Sequence, residues 1–85
     1  MEKEVLNRVL LPLADQFESG NRNRWCTFKP GEVNEYEKLR ECLAELVAEK
    51  SAVGHGGAFQ LSQSGYTKYL HRIRALRVLN ASPGQ

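Results

Sequence analysis

Apolar residues return at helical spacing along the first stretch of the chain. Val5, Leu6, Val9, Leu10, Leu13 and Phe17 follow the i, i+3, i+4 pattern that lines one side of an α-helix. Glu2 and Glu4 fall at the end where the helix dipole is positive, which favours acidic side chains. Pro12 disturbs the pattern, because it has no N–H and its ring crowds the carbonyl of Arg8. The stripe predicts a helix over residues 2–19 that either kinks at Pro12 or restarts with Pro12 in a first turn. Gly20 is its stop signal.

Residues 21–31 change character. Arg24-Trp25-Cys26-Thr27-Phe28 favours extended structure and predicts one strand of about five residues. Lys29-Pro30-Gly31 ends it with turn chemistry. A second helix is expected from Asn34, which can cap it while Glu37 reaches back to the free N–H groups. Tyr36, Leu39, Leu43, Leu46, Val47 and Lys50 then follow one face, with Cys42 beside them as a small core residue. Beyond Lys50, two short extended runs, 51–53 and 58–62, flank Gly54-His55-Gly56-Gly57 and predict a β-hairpin. Ser62 or Ser64 caps a last helix with the stripe Tyr66, Tyr69, Leu70, Ile73 and Leu76, ending on Val78 or Leu79.

The order helix, strand, helix, hairpin, helix predicts an α+β domain of three helices with a small antiparallel sheet. Residues 39–50 resemble the helix that precedes the wing in winged-helix domains. Phe59-Gln60-Leu61-Ser62-Gln63-Ser64-Gly65-Tyr66 is similar to the end of their third wing strand, where Leu-Ser or Leu-Thr is followed, after two residues, by Gly. On that resemblance, residues 24–28 are the first strand of the sheet and 54–57 the wing tip. It implies DNA reading through the helix before the wing. Only residues 30–36 remain for the short helix that usually precedes the recognition helix, so a turn or a truncated helix is expected there.

Composition and charge change this picture. Eighty-five residues, 41% hydrophobic and 26% charged, suit one domain over residues 1–80 with a flexible tail over 81–85. A core this small supports a stability of about 5 kcal/mol, which pairing with a second copy would raise. Cys26 and Cys42 are too few for a disulfide scaffold, and the charged N-terminus fits neither a signal peptide nor a membrane span. A cytoplasmic setting with reduced thiols is expected. The net charge of +2 hides blocks of −2 over residues 1–19, +3 over 20–31, −3 over 32–50 and +4 over 51–85. The second helix therefore presents an acidic face, with Glu37, Glu41, Glu45 and Glu49 among its non-core positions, and phosphates repel such a face. Phosphate contact moves to the wing and the last helix.

Lys68, His71, Arg72, Arg74 and Arg77 make that last helix basic. They can meet phosphates, pair with acids of the second helix, or form a solvated face. Arg22, Arg24 and Lys29 interleave with Trp25 and Phe28, a pattern suited to single-stranded nucleic acid. The simpler reading is an edge strand that buries Trp25 or Phe28 and leaves the arginines in water. Gly54 to Gly57 lack the Lys-Ser/Thr ending and following helix of a phosphate loop, so His55 sits on a hairpin tip. Cys26, Cys42, His55 and His71 are spaced too widely to predict a metal site. Ser62, Ser64 and the cysteines lack a nucleophile signature, and a small domain has little room for a cleft of about 300 Å³.

These readings point to a non-enzymatic binding module with no cofactor, no membrane partner and no small-molecule substrate. Its first expected role is nucleic-acid-associated or regulatory, through Arg22, Arg24, Lys29, His55, Lys68, Arg72, Arg74 and Arg77. The alternative is protein interaction or dimerisation, with Glu37, Glu41, Glu45 and Glu49 meeting a basic partner or a second copy's last helix.

Overall fold

The structure, a computed structural model, describes residues 2–28 and 33–81, with side chains described over 2–28 and 37–79. The first stripe folds as one continuous helix, α1 (Lys3–Glu18), with Pro12 inside it. The expected restart does not occur. Arg8 and Pro12 both lie on the exposed side, where the carbonyl left without its usual donor is accessible to water. Val9, Leu10, Leu13 and Ala14 have no exposed surface. Gly20 ends the helix as expected: its φ of +72° suits glycine, and its N–H donates to the Phe17 carbonyl at 3.2 Å.

Strand β1 (Cys26–Thr27) has two residues rather than about five. The residues before it are taken up by a turn, in which the Arg24 N–H donates to the Asn21 carbonyl at 3.1 Å. The Asn23 N–H also donates to Asn21 Oδ1, at 2.9 Å. Helix α2 (Val33–Ala48) starts one residue before the expected cap, so Asn34 lies within it. The side chains of Asn34 and Tyr36, the turn Lys29-Pro30-Gly31 and tail residues 82–85 lie outside the described residues.

Helix α2 ends on a left-handed residue, Lys50, with φ +66°. The Lys50 N–H donates to the Val47 carbonyl at 3.0 Å and the Ser51 N–H to the Leu46 carbonyl at 2.8 Å, the paired bonds of a Schellman ending. Strands β2 (Ala52–His55) and β3 (Ala58–Leu61) follow. Gly54 and His55 belong to the strand, so the tip is only Gly56-Gly57. Their φ angles of +57° and +82° are both positive, as a two-residue type I′ hairpin requires. Helix α3 (Gln63–Ala81) begins at the Ser62 cap, whose Oγ accepts from the Gly65 N–H at 3.0 Å.

The architecture is three helices with a three-stranded antiparallel sheet of order β1-β3-β2. Cys26 pairs with Phe59, and Phe59 with Gly54; Ala52 pairs with Leu61. Partners across a ladder share a face, and this face joins the core with Cys42, Leu43, Leu46 and Ile73. The last helix outlasts its cover. Val78 and Leu79, expected to end its apolar stripe, are 66% and 72% exposed.

Candidate functional site

Among the described residues, the opposite face of the sheet carries exposed Thr27, Val53 and His55. Thr27, Ala58 and His55 form one cross-strand row, and Val53 pairs with Gln60 in the next. Trp25 precedes β1 on the same parity as Thr27. Its ring lies 6.1 Å from that of His55, tilted by 48°. Trp25 is 37% exposed and Val53 51%. The simpler reading of residues 24–28 therefore holds: β1 is an edge strand, Phe28 packs against the core, and Arg22 and Arg24 are exposed.

Arg22 and Arg24 border this face. Their loop is pinned by Gln60, whose Nε2 donates to the Arg22 carbonyl at 2.7 Å and the Arg24 carbonyl at 2.9 Å. No signal in the sequence pointed to Gln60, because its role depends on a strand pairing 36 and 38 residues away. The arginine side chains are exposed and make no ion pair with a described residue. Lys29, the third cation expected here, lies outside the described residues.

The cations of α3 are differently placed. Arg77 bridges two acids of α1, at 2.9 Å from Asp15 and 2.7 Å from Glu18. Arg72 donates to Asn7 Oδ1 at 2.9 Å and is half-buried. Lys68 lies 3.2 Å from Glu49, as pairing with the second helix anticipates, whereas Arg77 turns to α1 instead. Arg74 and His71 are exposed, and Arg74 makes no ion pair with a described residue. The expected sites therefore divide. Arg22, Arg24 and His55 gather around the hairpin; Lys68, Arg72 and Arg77 are tied into the fold.

Just past the end of α2, Glu49 accepts from Ser51 Oγ and Tyr69 Oη, both at 2.6 Å. Partial burial pushes its pKa up, but these hydroxyls and the Lys68 ammonium outweigh it and hold the carboxyl below its ordinary range. Glu18, bound by Arg77 and by the Tyr66 hydroxyl, is likewise held down. Carboxylates depressed on folding stabilise the fold above their ordinary value of 4.5, and that contribution is lost as pH falls through the folded values. The thermal midpoint should accordingly stay level from about pH 7 to pH 5 and drop below about pH 4.5. A midpoint that rises on acidification contradicts this assignment.

Glu37 and Glu41 flank a shallow depression with Arg40 and Ala44. Glu41 and Glu45 line another, with Lys38, which pairs with Glu2 at 2.9 Å. Between α2 and the hairpin runs a larger apolar groove of about 540 Å³, walled by Leu39, Leu43, Val47, Phe28 and Phe59. A concavity of this size was not expected in so small a domain. Gly54 also lines it, and the Phe59 ring packs so closely there that a Cβ would stand 2.9 Å from it.

Both cysteines are free. Burial, with Glu45 adding to it, pushes the Cys42 thiol up to about 11, and burial also raises that of Cys26, so neither is tuned as a nucleophile. Among the described residues, no group of three or more His, Cys, Asp or Glu side chains is placed to hold a metal ion. None of their helices is long and apolar enough to cross a membrane. The chain matches no protein-family model, no curated protein and no solved structure.

Proposed function

We propose that this chain is a winged-helix-like, non-enzymatic binding module that contacts nucleic acid with the open face of its hairpin sheet and the adjoining arginine loop. One observation supports this above the others. Arg22 and Arg24 have no acidic partner among the described residues, and they border exposed Trp25 and His55. A cation already paired within the fold must give up that partner to meet a phosphate; these two need not. The order of elements supports the winged-helix-like reading, and the acidic face of α2 turns the phosphates toward the hairpin.

Anisotropy of a labelled oligonucleotide at low salt tests the proposal. Arg22→Glu with Arg24→Glu should weaken binding by about ten-fold or more, and the neutral Gln pair should lower the salt slope by up to about 2. Binding unchanged by the Glu pair ends the nucleic-acid reading.

The apolar groove supports a second reading, a protein-interaction or dimerisation surface beside acidic Glu37 and Glu41. Val47 in its wall is 38% exposed. On this reading the wild type associates as its concentration rises, and Val47→Asp abolishes that association in sedimentation without changing the circular dichroism. A monomer at every concentration removes the self-association form.

A further inference from the structure

Phosphate contact alone leaves the most unusual side chain of the hairpin face without a role. Among the described residues, Phe17, Phe28, Phe59, Tyr66 and Tyr69 all pack against the core. Trp25 is instead 37% exposed, although a chain this small needs its aromatics inside. Its ring lies against that of His55, and Val53 and Thr27 are exposed on the same sheet face. Arg22 and Arg24 both precede it in sequence, and Gln60 holds their backbone in place. Prior ordering of that loop reduces the entropy lost when a ligand binds.

We infer that this face takes a single-stranded nucleic acid, stacking a base on Trp25 beside His55 while Arg22 and Arg24 meet the adjoining phosphates; this rests on the nucleic-acid reading above. Bases of a duplex are stacked on one another and offer no ring face to an indole. Those of a single strand do, and every base has such a face, so recognition of this kind tolerates sequence. An exposed sheet face with a single aromatic platform beside two cations suits such a strand better than a duplex groove. The acidic exterior of α2, meanwhile, keeps that helix away from a major groove. DNA and RNA single strands share this chemistry, so the test includes both.

Trp25 is the only tryptophan of the chain, so its emission reports on this face alone. The probes are an oligothymidylate and an oligouridylate of about ten nucleotides, with a duplex of matching length. Addition of a single strand should quench the emission. Trp25→Ala should weaken single-strand binding by roughly ten-fold in an anisotropy assay while leaving duplex binding unchanged. Trp25→Phe, which keeps a ring, should retain most of the affinity and guards against a folding defect in the alanine variant. Quenching by either single strand supports the inference. It is overturned if emission does not respond, or if Trp25→Ala leaves single-strand binding intact or weakens both forms equally. Should the Arg22→Glu, Arg24→Glu variant still lose binding in that case, phosphate contact survives without base stacking. If neither single strand nor duplex binds the wild type, both readings fall and the face is left to a protein partner.

Discussion

Gly65→Ala lowers the thermal midpoint by about 10 °C, although alanine is the better helix former. Gly65 lies in the first turn of α3, where a Cβ would stand 2.0 Å from the Ser51 carbonyl oxygen and 2.7 Å from its carbon. Both are backbone atoms of a segment with little freedom to retreat. The Ser51 carbonyl accepts from the Ser62 N–H at 2.9 Å. One residue earlier, the Lys50 carbonyl accepts from Ser62 Oγ at 2.7 Å and Ser64 Oγ at 3.1 Å. Overpacking against such a seat costs about 3 kcal/mol, and the gain in helix propensity returns about 1 kcal/mol. A net loss of about 2 kcal/mol is a large fraction of the stability expected here, and at about 4–8 °C per kcal/mol it gives the stated shift. Thr67→Ala, at an exposed site one half-turn on, is the control and should be neutral or slightly stabilising. A Gly65→Ala protein as stable as the wild type would mean that α3 does not rest on the Ser51 carbonyl.

The same local group shows why much of the fold was legible. Leu61-Ser62, two residues and Gly65 describe a strand end, a cap and a close approach, all settled within a few residues of one another. The stripes of α1 and α2 and the paired glycines of the hairpin are local in the same sense. Trp25 was not legible, because Trp25, Cys26 and Phe28 place apolar side chains on both parities of one short strand. Only the pairing of Cys26 with Phe59 decides which parity faces the core. Charge blocks were equally mute about partners. Arg77 faced two acidic blocks in the sequence, and the packing of α3 on α1 selects Asp15 and Glu18, more than fifty residues away. Val78 and Leu79 continue the period of α3, yet they stay 66% and 72% exposed. The candidate site was legible as a basic and aromatic segment, and its division into committed and open cations came only from tertiary contacts.

Ile73→Ala should unseat α3 altogether. Among the described residues, Ile73 is the only α3 side chain with no exposed surface. The other attachments of the helix lie nearer the surface. Tyr66 stacks on Phe17 with ring centroids 4.5 Å apart, and such a pair contributes about 0.5–1.5 kcal/mol beyond its burial. Arg77 is 37% exposed and its acids 61% and 34%, so its two ion pairs add about 1 kcal/mol or less each. Removing three carbons from a fully buried isoleucine costs about 2–5 kcal/mol, against a total near 5 kcal/mol. Urea unfolding should show a variant that is largely unfolded in buffer or loses most of its midpoint, with amide protection vanishing first across residues 63–79. Ile73→Val, which keeps the branched shape, should cost only about 1 kcal/mol. Arg77→Ala should cost less than Ile73→Ala. If the order is reversed, α3 is held by its polar clamp to α1, and the buried isoleucine merely fills space.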